Sequence, residues 1–332
     1  MSQLPVFLLT GFLGAGKTTL LNRLVSGRRD TALVINEFGL VPVDHHLVRQ
    51  GRERPVVTTT GCICCSAGSD LRGSLNELLH GRASGALPEF SRVIVETTGL
   101  ADPAPIINSL IPGGLPAMGL RDHAVARAFR LSSVIAVADV QGIGAALDAH
   151  PEALRQIAMA DHLVLSHTDL APPGDWPARL AAINPGLNIH DVATLDPTFL
   201  LAPGSYSALG KGRDATRWLH AETPRHAPDL AALNRHGAVE ALVLTGGPPR
   251  DRAAWQALIG DLACQPGLLR IKGMLRDGSD PARPLIAHAV GHRAYPLVQA
   301  PDWPDDSPET RLVVIGAHLK AEALRRRFLA RF

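Results

Sequence analysis

The sequence predicts an α/β protein: a mostly parallel sheet covered by helices on both faces, followed by a smaller α+β domain. Three observations predict it. Short apolar runs alternate with helical patterns as far as about residue 193, and alternation of this kind implies crossover connections between parallel strands. A glycine-rich octapeptide, Gly11-Phe12-Leu13-Gly14-Ala15-Gly16-Lys17-Thr18, joins the first run to the first helix. From Ala202 to about Asn234 the pattern breaks into Gly, Pro, Ser and isolated charges, and a differently ordered set of runs follows.

Residues 4–10 have a buried-strand pattern, 17–25 a helical one, and 31–37 form a second strand rich in β-branched residues. Further strands are expected at 55–60 and 92–97, with an amphipathic helix at 70–80 between them. The apolar runs 131–139 and 162–166 flank a helix at 151–160, and a helix from Trp176 precedes a weaker strand at 188–193. Beyond the break, strands at 239–245, 268–275, 285–290 and 312–315, with helices at 252–262 and from Lys320 onward, make the second unit. The expected division is 1–202, a junction at 203–236, and 237–332.

With 332 residues and a hydrophobic fraction of 46%, the chain can bury two cores. Its 33 basic and 31 acidic side chains leave a net charge of +2, which gives no general reason to expect nucleic acid or an anionic membrane as a partner. The apolar runs are too short or too broken to cross a bilayer and no basic leader precedes them, so a cytoplasmic protein is expected. Three of the four cysteines crowd into Cys62, Cys64 and Cys65, which suits metal or redox chemistry better than a disulfide framework. Cys264 is expected in the second core, and the adjacent His45 and His46 at a solvated helix start.

The octapeptide has the spacing of a P-loop. Its glycines let backbone amides of Gly14, Ala15 and Gly16 face phosphate at a helix N-terminus, Lys17 reaches the β- and γ-phosphates, and the Thr18 hydroxyl ligates Mg²⁺. Thr19 is expected to pack or hydrogen-bond nearby. The motif implies a nucleoside triphosphate and does not by itself separate a hydrolase from a kinase. Glu96 ends the apolar run 92–96 and is the candidate second acidic group of the Mg²⁺ shell, directly or through water, with Gly99 placed to sense the terminal phosphate. A merely solvated strand-end glutamate is the alternative.

Asp169, closing Ser166-His167-Thr168-Asp169, occupies the place where many GTPases read guanine through its N1 and N2 donors; a carboxylate that simply caps the next helix has the same position. Gly61-Cys62-Ile63-Cys64-Cys65 places three thiols within four residues, suited to Zn²⁺ or Cu(I) as thiolates, or else to a redox pair or inert burial. Three thiols fall short of the four ligands of a closed zinc site, an incomplete shell that suits release of the ion.

Taken together, Gly11 to Thr18, Asn36-Glu37-Phe38-Gly39, the Cys-x-Cys-Cys segment, Glu96-Thr97-Thr98-Gly99 and the segment ending in Asp169 resemble the CobW-type GTPases, a group of metal chaperones and metallocentre-assembly proteins. Leu269-Arg270-Ile271-Lys272-Gly273 and Val313-Val314-Ile315-Gly316 look like that family's C-terminal domain. The resemblance implies GTP with Mg²⁺, and zinc or cobalt carried on Cys62, Cys64 and Cys65 to a client protein. It also implies a nucleotide-responsive segment at residues 36–39, in which Glu37 is a metal ligand or positions water. Two departures stand out: Leu40 where the family usually has Glu, and Ser166-His167 in place of Asn-Lys. The first weakens a metal ligand or an activating carboxylate, and the second base affinity or selectivity.

The reading is therefore a slow GTPase that couples nucleotide state to metal transfer. Its second domain is expected to use a sheet face to dock the client and a second copy of itself. The rival readings are a small-molecule kinase, with ATP preference and an acceptor-dependent rate, and a nucleotide-gated binding protein that does not hydrolyse.

Overall fold

The first strand, Leu-Pro-Val-Phe-Leu-Leu-Thr-Gly, is apolar on both faces because it lies at the centre of a sheet with helices on each side. The computed structural model describes residues 3–28, 30–36, 56–60, 69–111, 119–202, 239–303 and 308–330. Within them β1 (Leu4–Gly11), β2 (Thr31–Asn36), β3 (Val56–Thr60), β4 (Arg92–Glu96), β5 (Phe129–Asp139), β6 (His162–Ser166) and β7 (Asn188–Asp191) form one parallel sheet in the order β3-β2-β4-β1-β5-β6-β7. The chain leaves β1 toward β2 on one side and leaves β4 toward β5 on the other, a switch of direction beside whose strand carboxyl ends ligands of such sheets bind.

Strand periodicity separates the two covering layers. Phe7 and Leu9 pack with Leu20, Leu21 and Leu24 of α1 (Lys17–Val25) on one face. Val6 and Leu8 point the other way, toward Leu71, Leu75 and Leu78 of α2 (Ser69–Ala83) and Ile106 and Ile107 of α3 (Pro103–Leu110). The helices α4 (Gly119–Ala128), α5 (Ile143–Ala149), α6 (Pro151–Met159) and α7 (Trp176–Ile183) complete this unit, followed by a 3-10 turn at Pro197–Leu201. The helices α3, α4 and α5 are additions to the sequence expectation. Arg72 joins three of these helices: it donates to Ser109 O at 3.1 Å and pairs with Asp122 at 2.9 Å.

In the second unit β8 (Glu240–Thr245), β9 (Leu268–Leu275), β10 (Leu285–Val290), β11 (Arg293–Ala294) and β13 (Arg311–Gly316) pair antiparallel in the order β11-β10-β9-β13-β8, with β12 (Val298–Gln299) on β10. One face buries Ile271, Leu285, Leu312 and Val314 under Trp255, Leu258 and Leu262 of α8 (Arg252–Ala263) and Phe328 of α9 (Ala321–Leu329). The other face corrects an expectation. Met274, Ile286, Val313 and Ile315 pack into the same core as Leu154, Ile157 and Ala158 of α6 and Leu180 and Ile183 of α7, so this face is buried against the nucleotide-type unit and is not available to a client. Cys264 is a second correction: it is exposed at the C-cap of α8, off the stripe formed by Trp255, Leu258, Ile259 and Leu262.

A buried ionic cluster fixes the contact between the two sheets. Asp161, at the entry to β6, meets Arg270 Nη2 at 2.6 Å and Lys272 Nζ at 3.3 Å from β9, and accepts from the Val134 amide at 2.9 Å. Arg270 Nη1 also donates to Ala160 O at 2.9 Å. Burial alone would raise the Asp161 pKa; the charges of Arg270 and Lys272 and the Val134 hydrogen bond outweigh it and hold the carboxyl well below the usual carboxylate range.

Candidate functional site

The loop between β1 and α1 has the curl that its glycines anticipate. Gly14 and Gly16 have left-handed backbone, with φ of 73° and 89°, and Gly16 is the N-cap residue of α1. Lys17 lies across its own loop, its ammonium donating to Phe12 O at 3.0 Å. Thr19 is exposed on the first turn of the helix. The amides of the first turn of α1 have no intrahelical acceptor, which suits a helix N-terminus to an anion, while the Ala15 amide donates to Phe12 O at 3.2 Å within the loop.

Glu96 ends β4 and is buried beside this loop, because Leu9 of β1 registers with Glu96 of β4. Its Oε1 accepts a hydrogen bond from the Thr18 hydroxyl at 3.0 Å. A hydroxyl and a buried carboxylate are oxygen donors of the kind that Mg²⁺, which takes few protein ligands and keeps its waters, accepts. Next along the chain, Thr97 donates to the Thr10 hydroxyl at 2.9 Å and its amide to Leu9 O at 3.0 Å. Gly99 then meets the loop itself: a Cβ there would lie 2.7 Å from the backbone nitrogen of Leu13.

The residues that depart from the common base-reading motif have defined partners. Ser166 ends β6 with its hydroxyl buried, donating to Ala15 O at 2.7 Å, so it ties the loop after β6 to the loop after β1. His167 has left-handed backbone, φ 56°, and its Nδ1 lies 3.0 Å from Asp139 Oδ1 at the end of β5. Thr168 donates to Asp191 Oδ1 at 2.6 Å, leaving Asp169 exposed on the rim.

Of the sequence candidates, Gly14, Ala15, Gly16, Lys17 and Thr18 share the loop after β1, Glu96 and Gly99 lie against that loop, and Asp169 follows Ser166, which bonds to it. Glu37, Cys62, Cys64 and Cys65, with Phe38, Gly39, Leu40, His45 and His46, lie outside the described residues. Among the described residues no cluster of three or more His, Cys, Asp or Glu side chains could hold a metal ion. The strands that lead to these segments are described: β2 and β3 end side by side, Asn36 paired with Thr60, and Ile35 registers with Glu96. Both strands therefore end at the carboxyl edge that carries Thr18 and Glu96.

Sequence reasoning missed Gln156 and Asp139. Gln156 is buried on α6, with Nε2 donating to both Gly99 O and Ala101 O at 3.1 Å. Its signal was a lone amide in register with the apolar positions Ala153, Leu154 and Ile157 of one helix. The signal for Asp139 was a carboxylate at a strand's carboxyl end, where α/β sheets place their functional groups.

Comparison with known proteins agrees with this geometry. Residues 5–190 match the CobW/HypB/UreG nucleotide-binding domain, and 239–331 the cobalamin synthesis protein cobW C-terminal domain. The zinc chaperone YjiA of Escherichia coli K12 is 30% identical over 99% of this chain and 98% of its own length, and the zinc chaperone CobW of Pseudomonas aeruginosa 28% over 98% and 90%. The crystal structure of Zn(II)-bound YjiA GTPase from E. coli superposes with a TM-score of 0.70 at 25% identity, covering 100% of both chains. The first family match spans more than half of the chain and coincides with the phosphate loop, Glu96 and the Asp169 segment, so this chain belongs to the CobW/HypB/UreG family of nucleotide-binding proteins and carries a CobW C-terminal domain.

Proposed function

We infer that this chain is a GTP-hydrolysing zinc chaperone in which the bound nucleotide sets the affinity of Cys62, Cys64 and Cys65 for zinc or a similar ion such as cobalt. One observation carries the reading. The strands leading to Glu37 and to the three cysteines end in register at the edge that holds the Thr18 and Glu96 pair. The strands that precede Glu37 and the three cysteines, β2 and β3, are neighbours in the sheet. The names of the relatives, a zinc chaperone and a Zn(II)-bound GTPase, support the same reading.

In this account the amides of Gly14, Ala15 and Gly16 and the Lys17 ammonium hold the phosphates, with Thr19 at the rim and Asp169 accepting the guanine N1 and N2 donors. Thr18 and Glu96 would hold Mg²⁺, directly or through water, and the ion would supply positive charge to the phosphates. Gly99 faces the terminal phosphate, and Glu37 orients the attacking water or takes part in metal binding. Cargo affinity responds because one thiolate ligand moved out of place is enough: about 1.4 kcal/mol is a tenfold change in binding, and by linkage metal changes nucleotide affinity by the same factor.

Residues 1–202 act as the GTPase and metal unit, 203–236 as the junction, and 237–332 as the docking unit for a client metalloprotein and a second copy of the chain. Docking uses surfaces other than the two covered sheet faces. No described helix is long and apolar enough to cross a membrane, and we place the activity in the cytoplasm, with neither nucleic acid nor membrane as partner. Phosphate release from GTP and ATP by the purified protein tests the enzymatic part. Release from GTP in preference to ATP, with no added acceptor, is expected; phosphate appearing only on an added acceptor would assign a kinase.

A further inference from the structure

Gln156 has no part in the account above, yet it touches the loop that account depends on. The residue is 1% exposed, and its side-chain amide nitrogen donates to two carbonyls of the same turn, Gly99 O and Ala101 O, each at 3.1 Å. On its other side that loop abuts the phosphate loop at Leu13, so closely that any side chain at residue 99 would collide with the Leu13 backbone.

The helix that bears Gln156 touches more than this loop. Its N-cap residue His150 stacks on Phe12 of the phosphate loop with ring centroids 4.6 Å apart. Arg155 pairs at 3.2 Å with Asp102, whose other oxygen caps α3 through the Ala104 amide. Its C-terminal carbonyls, Ile157, Ala158 and Ala160, are gathered by the Asn184 side chain. Leu154, Ile157 and Ala158 share a core with Met274, Val313 and Ile315 of the second sheet. A helix held at so many points is a rigid support, and a buried amide with both protons engaged holds its acceptors in one arrangement.

We propose that Gln156 is a positioning residue for the terminal phosphate: it holds the Gly99 to Ala101 turn against the phosphate loop and ties it to the helix on which the second domain rests. The proposal rests on the reading that Gly99 faces the γ-phosphate. If Gln156 holds that turn, its loss lowers the advantage of the triphosphate over the diphosphate, because the diphosphate makes no contact there.

The test compares wild type with Gln156→Glu, which keeps the shape but sets a carboxylate against two carbonyls, and Gln156→Met, which keeps length without donors. Affinities for GDP and a non-hydrolysable GTP analogue, and kcat for GTP, are measured on full-length protein that retains a cooperative thermal transition. The expected result is a fall of about tenfold or more in both the analogue-to-GDP affinity ratio and kcat, with GDP affinity within about twofold of wild type. If Gln156→Glu does not fold, Gln156→Met carries the comparison. A lower melting temperature with an unchanged ratio and kcat means a structural residue and overturns the proposal. A wild-type protein that neither discriminates the two nucleotides nor hydrolyses GTP instead overturns the reading beneath it.

Discussion

The hydroxyl of Thr18 donates to the buried carboxylate of Glu96 across 3.0 Å, joining residues 78 positions apart in the chain. The parallel register of β1 and β4 creates this contact, since it sets Glu96 level with Leu9, just before the loop. The contact supports our proposal that these two side chains would hold Mg²⁺.

Replacing Glu96 by Gln keeps the shape and removes the charge. We expect kcat for GTP to fall by about 10²–10³, while GDP affinity changes by less than about fivefold, as measured by phosphate release and equilibrium titration. Thr18→Ala should act in the same direction. Wild-type turnover in both variants would remove these residues from the site.

Ser166 is the unexpected tie in this site. Its hydroxyl donates to the Ala15 carbonyl at 2.7 Å, and Ser166→Ala leaves that buried acceptor without this donor. A loss of about 1–3 kcal/mol, divided between protein stability and nucleotide affinity, is the expected outcome, read by thermal melting with and without GDP. An unchanged melting temperature and GDP affinity would show that the loop does not need this tie.

Asp169 should govern base choice. Two charge-assisted hydrogen bonds to guanine are lost in Asp169→Ala, which should lower the preference for GTP over ATP by roughly 10- to 100-fold. Competition between the two nucleotides measures it, and an unaltered preference would assign the base to other residues.

The Asp161 cluster makes a prediction in pH. Its carboxyl is held below the unfolded value, so its contribution to stability is complete above about pH 4 and is lost as pH falls toward the folded pKa. Asp161→Asn removes the carboxylate facing buried Arg270 and partly buried Lys272 and should cost about 3–5 kcal/mol at neutral pH. The same variant should flatten the acid limb of a stability-versus-pH curve measured by denaturant unfolding; a parallel limb would mean that other carboxylates control it.

The strands were legible because a sheet buried on both faces needs near-continuous apolar runs, and 92–97, 131–139 and 162–166 have them. Less was legible at α3, whose Pro-Ala-Pro-Ile-Ile-Asn-Ser-Leu lacks a polar face, and at β11 and β12, two residues each. The β1–loop–α1 unit and the position of Glu96 at a strand end were legible because each is a local pattern, whereas their contact needs the β1–β4 register. Gln156 and Ser166 act through carbonyls 55 or more positions away, so only the folded chain reveals them. The second sheet seemed free for a client because apolar periodicity shows that a face is buried without saying against what; here it is the neighbouring unit.

The central claim is that nucleotide and metal sites are coupled. Metal affinity of the reduced protein, measured by chelator competition without nucleotide, with GDP and with a non-hydrolysable GTP analogue, tests it most directly, alongside a variant with Cys62, Cys64 and Cys65 all replaced by Ala. The account predicts one zinc ion per chain, an affinity that shifts between the nucleotide states, and loss of binding in the variant. Equal binding by wild type and variant, or an affinity indifferent to nucleotide, would contradict it.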